Sequence, residues 1–197
     1  MVNEKTIKEM TVEERVDLFL HVMKDDLNVP LVSVDFLDWL LEKGFFTAPA
    51  SANHHLNYEG GLFEHSLNVM EVLLTFTEKG ECCWCRKSSP YIIGMFHDLC
   101  KIDSYKKEMD GEGVGYTWNN DTILKGHATK SIMLLSQFVN LTEEELEFVY
   151  TRCLRKAMRL EEAHLKDIPC YELANKIMWK INDLRKSPTQ SKENNYG

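Results

Sequence analysis

The side chains in this sequence best suited to chemistry are three histidines and one aspartate. His65, His97 and His127 follow one another at intervals of 32 and 30 residues, and Asp98 stands directly after the second of them in the stretch Phe96-His97-Asp98-Leu99-Cys100-Lys101-Ile102-Asp103. Each histidine falls among apolar residues at helical spacing, so three helices could bring three imidazoles to one point inside a bundle. A single histidine on an apolar face is more often a hydrogen-bonded core residue than a ligand. Three of them with an adjacent carboxylate form a set that suits a divalent transition metal and leaves positions open for water and phosphate oxygens.

The elements that would position these groups are nearly all helical. Thr11 and Glu14 have the spacing of a capping box, after which Val12, Val16, Phe19, Leu20, Met23 and Leu27 share one face until Pro30 ends the helix. Ser33 can cap a short second helix that carries Leu37, Leu40 and Leu41 and ends at Gly44. Residues 45–57 read as a loop, and Gly60-Gly61 turns the chain into a helix with Leu62, His65, Val69, Val72, Leu73 and Phe76 inward. Pro90 suits the first turn of the next helix, one face of which carries Ile93, Phe96, His97 and Cys100. Residues 104–120 are polar and glycine-bearing, with alternation near Val114 and Tyr116, which predicts a flap or short hairpin. A helix starting near 122 or 127 presents His127, Ser131, Leu134, Leu135 and Phe138. Thr142 and Glu145 form a second capping box ahead of Leu146, Val149, Tyr150, Cys153, Leu154 and Ala157, and a last helix carries Leu173, Ala174, Ile177, Met178 and Ile181. The pattern predicts an all-α fold, a compact helical bundle. N-terminal helices in 1–44 pack on a core domain of 45–185, and the apolar-poor tail of 186–197 is expected to be disordered.

Composition narrows the function classes. The chain has 197 residues, 44% hydrophobic and 27% charged, which suits one soluble domain with a real core. The net charge of −8 disfavours long nucleic acid, whose phosphates are held by basic surfaces, but is compatible with a small phosphorylated substrate that brings its own cation. No apolar run is long enough to span a membrane and the N-terminus is polar, so a cytoplasmic location is expected. Cys82 and Cys85 have C-x-x-C spacing, yet no second ligand pair follows, and free thiols are the expectation there. Cys100, Cys153 and Cys170 fall among apolar neighbours and read as small core residues.

Three segments, "NHHLNYEGGLFEHSLNV" (53–69), "FHDLCKID" (96–103) and "GHATKS" (126–131), carry a family resemblance. The chain resembles the HD-domain superfamily of metal-dependent phosphohydrolases. The first segment is similar to its form in the HD domain of bacterial 3′→5′ exoribonucleases and in small stand-alone bacterial and phage HD proteins. The resemblance covers roughly residues 45–185. It implies a helical HD fold in which His65, His97 and Asp98 hold a metal, His127 serves a second metal or the substrate phosphate, and Lys101 lies near that phosphate. His54 and His55 would help form the pocket mouth, though a loop capping the following helix explains them equally. Arg155 would bind phosphate, with a surface salt bridge as the plainer alternative.

The departures from the family pattern fall late in the chain. Where relatives carry a histidine and a closing aspartate ligand, this sequence has Ala157 and Asn175. Asn175 can offer only an amide oxygen and no negative charge, and Asp183 lies eight residues further on. Two readings therefore stand. One is a hydrolase of a nucleotide or other small phosphoester that uses one divalent ion (manganese, iron, nickel, zinc or magnesium) held by His65, His97, Asp98 and Asn175, with Asp98, Lys101 and His127 acting in the chemistry. The other is a catalytically degenerate HD-fold protein that binds a nucleotide or metal as a regulatory module.

Overall fold

The structure is a computed structural model, which describes residues 5–80, 84–110, 113–124 and 126–150. Among them are six α-helices and one antiparallel hairpin: α1 (Val12–Val22), α2 (Val34–Glu42), α3 (Gly61–Glu78), α4 (Ser89–Phe96), β1 (Tyr105–Asp110), β2 (Gly113–Trp118), α5 (Ala128–Leu135) and α6 (Glu143–Tyr150). Short 3-10 turns occupy Ile7–Glu9 and Leu99–Asp103. The fold is thus mostly helical with a small two-stranded sheet, and the hairpin lies where the glycine-bearing segment predicted one. No helix among the described residues is long and apolar enough to cross a membrane.

Local chemistry sets most of the helix ends. Glu14 N–H donates to Thr11 Oγ1 at 3.3 Å while Thr11 N–H donates to the Glu14 carboxylate at 2.8 Å, the reciprocal bonds of a capping box. The same pair of bonds joins Thr142 and Glu145 at the start of α6. Ser33 Oγ accepts from Phe36 N–H at the start of α2. The first helix stops sooner than expected, at Val22 rather than at Pro30. Asp25 Oδ1 accepts from the backbone N–H groups of Leu27 and Val29, and Asn28 takes the left-handed conformation (φ 62°), so the chain turns before the proline. Leu27 is consequently exposed and belongs to no core face.

One hydrophobic cluster collects Phe19 of α1, Phe36 of α2, Phe45 and Phe46, Phe63 of α3 and Phe96 of α4. Their rings meet edge-on or tilted, for example Phe19 on Phe46 at 5.4 Å and Phe36 on Phe96 at 4.9 Å. The segment after α2 is irregular but not a surface loop, since Phe45, Phe46, Ala48, Ala50 and Ala52 are all buried. Each fully buried phenylalanine contributes about 2 kcal/mol of apolar burial, so this cluster is the main fastening of the helices to one another.

Helices α3 and α4 approach unusually closely, and Gly94 permits it. A Cβ on Gly94 would lie 2.4 Å from the Met70 backbone, inside any real contact. This approach matters because α3 carries His65 and the C-terminal end of α4 carries His97.

Candidate metal centre

His65 points inward from the second turn of α3, and His97 caps α4 with its backbone N–H on the Ile93 carbonyl. Asp98 begins the 3-10 turn, and its carbonyl accepts from the Lys101 N–H at 2.9 Å. The tight turn brings the Lys101 side chain back over Asp98. All four residues are buried, none more than 6% exposed. Lys101 is therefore held in the interior rather than solvated at a helix end.

The distances inside this group are those of a ligand set. His65 Nε2 lies 3.2 Å from His97 Nε2 and 3.3 Å from Asp98 Oδ2, and His97 Nε2 lies 3.7 Å from Asp98 Oδ2. Atoms held about 2.1 Å from a common cation stand about 3.0 Å apart in octahedral and about 3.4 Å apart in tetrahedral coordination. Asp98 Oδ2 also has Lys101 Nζ at 2.7 Å, yet it makes no hydrogen bond of normal geometry. A buried carboxylate oxygen surrounded by nitrogens but poorly bonded to them is fitted to something placed between them. The three side chains therefore suit a divalent cation on geometry and on donor chemistry alike.

The protonation states agree. His97 Nδ1 lies 2.8 Å from the Gly94 carbonyl, so that nitrogen carries the proton and Nε2 faces the site with its lone pair. Burial lowers the His97 pKa to about 4, against the pull of Asp98, which keeps the ring neutral near pH 7. Burial opposes ionisation of Asp98, but Lys101, His97 and His65 outweigh it and hold the carboxyl well below its ordinary value. Burial likewise works against the Lys101 charge, and the Asp98 carboxylate reverses it, raising the lysine above its usual range. With His97 neutral, the Asp98 carboxylate and the Lys101 ammonium offset one another. A dication entering this group would carry its charge into the site, where an anionic substrate could meet it.

The third histidine is placed differently from its expectation. His127 is not on the inward face of a helix: it is the residue before α5, exposed, with Gly126 at φ 96° holding the chain out of helix up to that point. It nevertheless reaches the same neighbourhood, with Nδ1 3.6 Å from Cys100 Sγ. His54 and His55 lie in the turn before α3, where Ser51 Oγ accepts from His54 N–H and donates to the His55 carbonyl. His54 is exposed and His55 half-buried. Asn175, Arg155, Ala157 and Asp183 lie outside the described residues.

Several neighbours of this centre were not among the expected site residues. Ser131 Oγ accepts from the Cys100 N–H at 3.0 Å, and Lys130, buried, pairs with Asp103. These two contacts pin α5 to the 3-10 turn and so fix where His127 stands. Cys100 is buried, as a small core residue would be, and burial pushes its thiol up to about 12, so it is no nucleophile on its own.

No family model matches the chain, and no solved structure matches it. The chain is similar to the dihydroneopterin 2′,3′-cyclic phosphate phosphodiesterase of Methanocaldococcus jannaschii, 37% identical over 67 residues, a stretch that covers 32% of this chain and 27% of that relative. The matched part thus spans about a quarter of the relative's length.

Proposed function

We propose that this protein is a metal-dependent phosphohydrolase of the HD superfamily, acting on a nucleotide or other small phosphoester with one divalent ion. The observation that carries this reading is the convergence of His65 Nε2, His97 Nε2 and Asp98 Oδ2 within 3.7 Å of one another, with Lys101 Nζ beside them. The partial similarity to a phosphodiesterase of a cyclic phosphate supports a phosphoester as the substrate class. The net charge of −8 favours a small substrate over a nucleic-acid polymer.

His65, His97 and Asp98 would hold the ion. Bound there, it would supply Lewis acidity, polarising the phosphoester and making water a better nucleophile near pH 7. The remaining work falls to the chain. Asp98 stays ionised and, through its ion pair, fixes the Lys101 ammonium at the site, where it offsets negative charge developing on phosphate oxygens. His127, exposed at the rim, is placed to contact the phosphate or move a proton to the departing oxygen. The buried walls of α3 and α4 keep bulk water from the inner face.

The regulatory-module reading rests on one observation, that Ala157 and Asn175 stand where the family has ligands. A phosphohydrolysis panel of nucleotides, cyclic nucleotides and small phosphodiesters, run with manganese, iron, nickel, zinc and magnesium, separates the two. Metal-dependent turnover that disappears in Asp98→Asn supports the enzyme. Nucleotide binding without turnover under every metal supports the module.

A further inference from the structure

The hairpin that follows the metal centre is tied to it at its base. Asn119 N–H donates to the Ser104 carbonyl at 2.9 Å and Asn119 Nδ2 donates to the Asp103 carbonyl at 2.8 Å, which closes β2 onto the turn that carries Lys101. The cross-strand pair nearest that closure is Tyr105 with Trp118. Tyr105 is half-buried, and its hydroxyl donates to the Ala50 carbonyl at 3.5 Å, in the segment that leads to His54 and His55. It also stands within electrostatic reach of the Lys101 ammonium, behind the larger influences of burial and Asp98. The Trp118 ring meets that of Tyr105 at 4.9 Å with 49° between their planes, yet Trp118 is 57% exposed. An aromatic cross-strand pair steadies a hairpin, which accounts for the covered side of the indole. It does not account for the open side, an apolar π surface held at the edge of a charged site. Lys101 and Tyr105 are four residues apart across a 3-10 turn, roughly 8 Å at its rise per residue, which is comparable with the span from phosphorus to base in a mononucleotide.

We propose that Trp118, backed by Tyr105, is a stacking platform for a planar aromatic ring on the substrate, and that it selects nucleoside-type phosphoesters over sugar phosphates and inorganic phosphate. The inference rests on the phosphohydrolase reading for the place of the phosphate, beside Lys101 and the metal centre. Tyr105 is the positioning residue of the pair: packing against it limits rotation of the indole, so an incoming ring meets a preset surface. Every base has a π face, so stacking selects for a ring without choosing among bases, and one base–aromatic contact is worth about ten- to a hundredfold in affinity.

The test is calorimetric titration of the protein, in excess manganese, with two probes whose P–C bond is not hydrolysed: adenosine 5′-methylenephosphonate, and methylphosphonate, which lacks the nucleoside. The wild type should bind the adenosine probe at least about tenfold more tightly than methylphosphonate. Trp118→Ala should weaken the adenosine probe by about tenfold and Trp118→Phe should keep most of its affinity, while methylphosphonate binds all three proteins alike. Should Trp118→Ala fail to fold, Trp118→Val, which suits a strand, removes the ring in its place and decides the same way. Equal affinity of the wild type for the two probes, no binding of the adenosine probe, or an adenosine affinity unchanged by loss of the ring overturns the proposal. So does an equal fall for both probes, the mark of a merely structural role in the hairpin. Turnover in the phosphoester panel is a separate measurement. A protein that hydrolyses but favours no ring keeps the hydrolase reading and loses this one, and one that binds the adenosine probe through Trp118 without turnover keeps the platform and loses the hydrolase.

Discussion

Two buried carboxylates in this protein have opposite surroundings. Glu145, fully buried at the start of α6, accepts from Arg86 Nε at 2.7 Å, Arg86 Nη2 at 2.6 Å, Ser89 Oγ at 2.8 Å and the Thr142 N–H at 3.0 Å. Asp98, 3% exposed, has Lys101, His65 and His97 around its Oδ2 and no well-formed hydrogen bond on that oxygen. A carboxylate whose lone pairs are all matched is a fastening, here between the start of α4 and α6. One whose oxygen is crowded by two imidazoles and an ammonium, with no well-formed hydrogen bond, suits a cation.

The comparison can be broken by removing each carboxylate's partners in turn. The largest effect is expected from Glu145→Ala, which strands Arg86 and empties a packed ionic clasp. Losing one partner of a buried pair costs about 3–5 kcal/mol, and the partial exposure of Arg86 places this case near the lower figure. Urea unfolding should show that loss while metal content per folded molecule stays the same. A clasp variant that lost its metal would mean the two regions are not separate.

His97→Ala should do the reverse. Metal affinity should fall more than about a hundredfold, since even outer partners of metal ligands cost that much when removed. Metal titration by calorimetry reads this directly, and an unchanged affinity would remove His97 from the ligand set. Gly94→Ala tests how the site is assembled. The added methyl meets the Met70 backbone and must push α3 from α4, at about 1–3 kcal/mol of stability, and should also weaken metal binding by separating His65 from His97. Destabilisation with unaltered metal affinity would show that the close helix contact is not what sets the ligand spacing.

The smallest effect is expected from acid on the metal-free protein. The folded-state pKa of His97, about 4, lies below its ordinary value of 6.5, so on acidification the unfolded chain takes up the proton first. The stability held above pH 6.5 is therefore lost as pH falls toward 4, by about 1 kcal/mol at pH 5.5. Asp98 adds to the same trend only below its ordinary carboxylate range. His97→Gln should flatten the slope between pH 6.5 and 4, and an unchanged slope would assign it to other groups.

What could be read from the sequence was what depends on neighbours in the chain. The capping boxes at Thr11 and Thr142 and the Ser33 cap follow from residues three apart, the hairpin from a glycine-bearing stretch with alternation, and all stand where expected. The His97-Asp98 pair and His65 were marked out by residue type and helical register. The rest turned on contacts that local patterns do not encode. Arg86 and Glu145 meet across 59 residues. His127 is exposed because Gly126 delays α5, where a continuous helical pattern had placed it inward. Cys100 faces His127 because the chain leaves α4 through a 3-10 turn, and Lys101 is buried for the same reason. The early end of α1 came from one side chain, Asp25, bonding two backbone amides.

The central claim is that His65, His97 and Asp98 are a metal centre. Its most direct test is elemental analysis of the protein purified without added metal or chelator, wild type beside His97→Ala, with circular dichroism to show that both are folded. The account predicts close to one equivalent of a divalent metal in the wild type and almost none in the variant. A folded wild type without metal, or a variant that retains a full equivalent, would contradict it.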